Sequence, residues 1–163
     1  MEKKPESTHL IRFQDCDPFG HLNNARYIDY FMSAREDHAR DYYNLDVYKI
    51  AKETGKSWVV GQNQIAYFKE ASLMEEVIIQ SQIIHYSDKS ISVECHMYDR
   101  NKTQLKALLW ATFVHVNIRK AKSEAHSEDH MKLFKTLTIS PEVKLFDDRV
   151  KSIRNKMLEK AVS

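Results

Sequence analysis

The sequence predicts an α+β domain in which one long helix lies against a single curved antiparallel sheet of about five strands, with a C-terminal helical extension. Three observations predict it. Between Ala25 and Tyr43 the apolar residues Ile28, Phe31, Met32, Ala39 and Tyr42 recur at three- and four-residue steps among Arg26, Asp29, Arg35, Glu36 and Arg40, the pattern of an amphipathic helix. Four runs rich in β-branched and aromatic residues follow, Trp58–Phe68, Glu76–Tyr86, Ser90–Tyr98 and Gln104–Arg119. The connections Ser87–Lys89 and Asp99–Lys102 are short enough to make these runs an antiparallel meander.

Taken in order, the elements begin with a strand-like segment, Thr8–Gln14, and a turn, Asp15–Gly20, whose Asp, Pro and Gly residues favour chain reversal. Asn23 and Asn24 then stand where a helix cap belongs, before the long helix. A shorter helical piece over Val47–Thr54 stops at Gly55. In the third β run Ile91, Val93, Cys95 and Met97 alternate with Ser92, Glu94, His96 and Tyr98, as in a strand with one buried and one wetter face. After Arg119 the chain is polar through Lys120–Asp129, and Ser140-Pro141-Glu142 reads as an N-cap with proline at the first helical position. From Asp148 onward, Val150, Ile153, Met157 and Ala161 form a narrow apolar stripe on a charged helix, suited to docking on the domain or a partner subunit.

A chain of 163 residues fits one domain with a real core, here residues 1–163 with a core over about 7–118 and a tail over about 120–163. The formal charge of +2 gives no broad field for a nucleic-acid partner. The charged start, Met1–Pro5, lacks an apolar leader core, and no stretch reaches the length of a membrane span, so a soluble, cytoplasmic protein is expected. Cys16 and Cys95 match no metal spacing and read as reduced thiols; the histidines outside the segment discussed next, His126 and His130 included, show no metal spacing either. No metal and no cofactor are expected. A curved sheet around one helix leaves a face open, so a homodimer or homotetramer is expected on burial grounds.

The segment Phe13-Gln14-Asp15-Cys16-Asp17-Pro18-Phe19-Gly20-His21-Leu22-Asn23-Asn24-Ala25-Arg26-Tyr27 gathers two carboxylates, an imidazole and two carboxamides on a turn that opens a helix. A helix N-terminus offers unpaired N–H groups and a positive dipole end, suited to the oxyanion that forms when a thioester carbonyl is attacked. A nearby carboxylate can attack that carbonyl or deprotonate a water. The bland alternatives are Asx-type turn capping by Asp15 and Asp17, and plain helix capping by Asn23 and Asn24.

This segment, continued by Tyr27-Ile28-Asp29-Tyr30-Phe31 and Ala34-Arg35, resembles the opening of the hotdog-fold acyl-CoA thioesterases of the hydroxybenzoyl-CoA thioesterase family. A second element, Ala66-Tyr67-Phe68-Lys69-Glu70-Ala71-Ser72-Leu73-Met74-Glu75-Glu76-Val77, resembles that family's strand and the connection to its next strand. With the order of elements, the resemblance covers about residues 7–118 and leaves the tail unexplained. It implies a hotdog fold, an acyl-CoA substrate, and catalysis without a metal or redox cofactor. It also implies that Asp17 is the catalytic carboxylate, as nucleophile or general base, with Asp15 in support and the backbone amide at Asn24 as oxyanion donor. His21 is expected to orient water or the substrate carbonyl. Asn23, Tyr27, Lys69 and Lys89 are expected to bind substrate, the lysines through the phosphates of coenzyme A. Plant-type acyl-carrier-protein thioesterases share positions equivalent to Asp17 and His21 but have asparagine where this chain has Phe19. The hotdog dehydratases place their histidine in a Phe-Pro-Gly context that is absent here. A non-catalytic acyl-binding or regulatory module is the competing reading, and Asp17 argues against it, because a binding module needs no carboxylate beside the carbonyl.

Overall fold

The computed structural model describes residues 1–163 and contains six strands and four α-helices. Strand β1 (Glu6–Leu10) leads through a 3-10 turn at Phe13–Asp15 and another at Asn24–Arg26 into α1 (Tyr27–Tyr43). Next come α2 (Val47–Thr54), β2 (Lys56–Tyr67), β3 (Glu76–Tyr86), β4 (Ser90–Asp99), β5 (Leu105–Asn117), the short β6 (Lys122–Ser123), α3 (Glu128–Leu137) and α4 (Phe146–Val162). The main sheet runs β1-β3-β4-β5-β2, and every pairing is antiparallel. This is the α+β hotdog arrangement, a curled sheet around α1.

Strands β3, β4 and β5 form the expected meander, whereas β2 crosses over to pair with β5 at the far edge, and β3, β4 and β5 each turn one face toward α1. Ile91, Val93, Cys95 and Met97 are buried in the main core with Phe31 and Ala34 of α1 and Ala107, Leu109, Ala111 and Phe113 of β5. Helix α1 presents Tyr27, Phe31, Ala34 and His38 to that core, the i, i+4, i+7, i+11 series of one helical face. It ends at Asn44 in the left-handed region (φ 54°), whose N–H bonds the carbonyls of Ala39 and Arg40.

Three expectations change. The first strand ends at Leu10, short of Gln14, because Phe13–Asp15 turn as a 3-10 helix whose Asp15 N–H bonds the Arg12 carbonyl. No helix begins at Ser140-Pro141: the C-terminal helix α4 starts at Phe146 without a side-chain cap, and a separate capped start lies earlier, where Ser127 Oγ accepts from His130 N at 3.2 Å and opens α3. The polar stretch had hidden α3, whose only buried side chains, Phe134 and Leu137, lie near its end.

The third change concerns the outer face of the sheet. Helix α4 lies across it, with Phe146 and Val150 buried on Leu108 and with Ala66, Phe68, Trp110 and Ile153 around them. Beneath it the Glu94 carboxylate is fully buried and receives both Arg149 Nε and Nη2 at 2.9 Å, Trp110 Nε1 at 2.6 Å and Gln82 Nε2 at 3.1 Å. Part of the face expected to need a second subunit is therefore covered by the chain itself.

Buried histidines are expected to make the fold acid-sensitive. His38 bonds Ser81 Oγ at 2.7 Å and Ser7 Oγ at 2.9 Å, and burial pushes its imidazole down to about 4. Burial likewise pushes His96, beside Glu94, down to about 4. Unfolded histidine titrates near ~6.5, so both groups support the fold fully above that pH, and their contribution is lost as pH falls toward 4. The urea midpoint is expected to be flat from about pH 7 to 8 and to drop by pH 5, the unfolding free energy falling by on the order of 2 kcal/mol per histidine. An unchanged midpoint at pH 5 would contradict this account.

Candidate active site

The turn before α1 is built by Asp17. Its Oδ1 accepts from the N–H groups of Phe19 (2.9 Å) and His21 (3.1 Å), while its own N–H bonds the His21 carbonyl at 2.8 Å. Gly20 closes the reversal with φ at +77°, a conformation that a side chain would strain, and its N–H reaches the Asp17 carbonyl at 3.1 Å. The Asx capping considered from the sequence is thus real, but it uses only Oδ1. The second oxygen, Oδ2, accepts no hydrogen bond from the protein.

The connection between β2 and β3 clasps this turn from the other side. Leu22 N bonds Ala71 O and Leu73 N bonds Gly20 O, each at 2.8 Å, and His21 pairs with Ser72. The two sequence elements that carried the family resemblance are therefore one structural unit. Lys106, only 5% exposed, braces the connection through Glu70 O (3.0 Å) and the Glu75 carboxylate (2.8 Å).

The start of the helix is set by Asn23, whose Oδ1 caps Ala25 N at 3.0 Å. Asn24 follows as the first residue of the 3-10 turn, so its N–H has no intrahelical acceptor. Its carbonyl accepts from Tyr67 Oη at 2.9 Å, which ties the turn to the end of β2. Asp17, His21, Asn24, Tyr27, Tyr67, Phe68, Lys69 and Glu70 all line one cleft of about 240 Å³. Tyr27 is 2% exposed, its hydroxyl accepts from Ala71 N at 3.2 Å, and burial raises its phenol above the ordinary range. Glu70 is held below the usual carboxylate range by its own backbone N–H and by Lys69, whose Nζ lies 3.4 Å away.

The expected residues divide cleanly. Asp17, His21, Asn24, Tyr27 and Lys69 converge on the cleft. Asp15 bonds Tyr30 Oη at 2.8 Å and Asn23 acts as a cap, so both shape the cleft from behind. Lys89 lies in the β3–β4 turn, at the opposite end of β3 from the cleft within this chain. Tyr67, Phe68 and Glu70 were not picked out as site residues, because only the closure of β2 against the Asn24 turn reveals them. Larger hollows of about 600 Å³ and 680 Å³ lie at Leu10, Met74 and Arg100, and at Trp110, Lys144 and Phe146, but neither combines a carboxylate with an imidazole. No group of three or more His, Cys, Asp or Glu side chains is arranged to hold a metal ion.

The sequence matches the thioesterase-like superfamily over residues 11–158. The chain belongs to that superfamily. This hotdog thioesterase is by membership a thioester hydrolase, and the match extends through α3 into α4. Its fold is similar to a 1,4-dihydroxy-2-naphthoyl-CoA thioesterase from Synechocystis, with TM-score 0.74 at 13% identity, covering 82% of this chain and 97% of that one. YbaW, a probable thioesterase from Escherichia coli, gives 0.69 at 25% identity, with coverage of 82% and 98%. A hypothetical protein from Staphylococcus aureus in complex with CoA gives 0.73 at 14%, with coverage of 86% and 87%. No curated protein sequence matches the thioesterase.

Proposed function

We propose that this thioesterase hydrolyses an acyl-CoA to a free acid and coenzyme A, with Asp17 as nucleophile or general base and the Asn24 N–H as oxyanion donor. One observation carries the reading: a carboxylate oxygen with no protein partner, Asp17 Oδ2, shares a cleft with the unpaired first N–H of a helix. With the thioester carbonyl oxygen at Asn24 N–H, attack on the carbonyl carbon forms a tetrahedral oxyanion, whose charge the N–H and the helix dipole stabilise. Collapse breaks the C–S bond and releases the coenzyme A thiolate. If Asp17 is the nucleophile, the product is a mixed anhydride that water then cleaves; if it is the base, it takes a proton from the attacking water and the acid forms directly. His21, at the cleft wall, is positioned to orient that water or the carbonyl.

The cleft is too small for a long acyl group, so the acyl chain is expected to continue over the inner face beside α1. There β2 presents Val60, 47% exposed, and Tyr67, 37% exposed. One edge of this twelve-residue strand pairs with β5 and the other pairs with nothing in the chain. A long, partly apolar free edge favours pairing with a second copy, so a homodimer along β2 is expected, covering the acyl path. Phe19 stands 84% exposed at the tip of the Asp17 turn, with no polar group to replace the asparagine of acyl-carrier-protein thioesterases, which favours coenzyme A as carrier.

The test is thiol release from a panel of aromatic and aliphatic acyl-CoA thioesters, short to long, on protein whose mass in solution is measured by sedimentation. Turnover of at least one class by a dimer supports the reading. Failure to hydrolyse any of them would leave acyl binding as the function, and a monomer at micromolar concentration would remove the β2 interface.

A further inference from the structure

The tail beyond the strands has no counterpart in the family motifs read from the sequence, yet α4 is fixed firmly. The Arg149 fork on buried Glu94, with Phe146 and Val150 packed beside it, sets its position on the outer face. Five residues further along, Arg154 lies with its Cζ 5.7 Å from the centre of the Phe68 ring. Phe68 is a wall of the catalytic cleft, and its backbone N–H is held by Lys106 O at 2.9 Å at the end of β2. A side chain of the C-terminal helix therefore reaches a residue of the cleft wall.

This guanidinium is exposed and lacks a carboxylate partner. The helix neighbours that could neutralise it, three and four positions away, are Lys151, Val150, Met157 and Leu158, none of them acidic. Lys69, the other cation at the cleft, already shares its charge with Glu70. A free cation held over an aromatic ring beside a substrate cleft is suited to an anion that enters with the substrate.

We propose that Arg154 binds a phosphate of the coenzyme A nucleotide where it emerges from the cleft, an assignment that rests on the acyl-CoA reading above. The planar fork of the guanidinium matches phosphate oxygens in pairs, and a cation held by Phe68 and a docked helix loses little freedom on binding. The pantetheine arm lies in the cleft between Asn24 and Phe68, and Lys151, one turn earlier on α4, adds charge of the same sign. The tail thus supplies nucleotide recognition, while the turn before α1 supplies the chemistry.

The experiment compares wild type with Arg154→Met and Arg154→Lys on two substrates with the same acyl group, its coenzyme A thioester and its N-acetylcysteamine thioester, which carries no nucleotide. For Arg154→Met the KM for the coenzyme A thioester is expected to rise roughly tenfold with kcat held, and Arg154→Lys to fall between. The kcat/KM for the N-acetylcysteamine thioester is expected to stay within about twofold, since no phosphate is present. A KM unchanged in Arg154→Met, or an equal loss on both substrates, overturns the proposal; the second result would mark a structural role for the α4–Phe68 contact. Calorimetric binding of coenzyme A itself to wild type and Arg154→Met decides the point independently of turnover. If wild type hydrolyses neither substrate the catalytic reading falls, while weaker coenzyme A binding by Arg154→Met still supports the phosphate contact and equal binding removes it.

Discussion

Asp17→Asn is expected to lower thioester hydrolysis roughly a thousandfold while the variant folds like the parent. The substitution separates the two roles of this side chain. An asparagine keeps an Oδ1 that can accept from Phe19 N and His21 N, so the turn and the helix start survive. What it removes is the charge and the basic lone pair at Oδ2, replaced by an NH₂ group that can neither attack a carbonyl nor accept a proton from water. Asp17→Ala would confound the readings, because it also deletes the two turn hydrogen bonds. The measurement is kcat on the preferred acyl-CoA for both proteins, with thermal midpoints recorded in parallel. Equal activity in a folded Asp17→Asn variant would move the catalytic carboxylate elsewhere and return Asp17 to a capping role.

Arg149→Met should be the most damaging change to stability outside the main core. Burial opposes ionisation of Glu94, and the Arg149 fork, His96 and Trp110 Nε1 more than offset it, holding the carboxyl below its usual range. Removing the guanidinium leaves a fully buried carboxylate with only Trp110 and Gln82 as donors of close hydrogen bonds, an uncompensated charge that costs about 3–5 kcal/mol. Glu94→Gln added to Arg149→Met should recover part of the loss, because the carboxamide is neutral and can still accept from Trp110. Urea denaturation of the single and double variants measures both effects. A single-variant loss below about 1 kcal/mol would mean that the ion pair contributes little and that Phe146 and Val150 alone hold α4.

Much of this molecule could be read from residue order. The three- and four-residue spacing in α1 and the alternation in β4 locate those elements because a helix and a strand each repeat at a fixed period, and a one-sided core imprints that period on the side chains. The Asp17 to Asn24 segment was legible for a related reason: a tight turn, a cap and a helix start are local structures, and their residue types are constrained by neighbours a few positions away. The limits were local too. Helix α3 went unseen because just two of its ten residues are buried, and Ser140-Pro141 carried a start signal although the helix that follows begins only at Phe146.

By itself, then, the sequence determined the α+β class, the order of the strands along the chain and the turn that carries Asp17, all features governed by contacts between near neighbours. Tertiary structure decided which residues share the cleft. It brought Tyr67 to the Asn24 carbonyl, separated Lys69 from Lys89 by the length of β3, and laid α4 over Glu94 so that Arg154 reaches Phe68. Those outcomes depend on strand pairing and on one buried ion pair between residues far apart in the chain. Local periodicity records which side of an element is buried, and it carries no record of the partner that buries it.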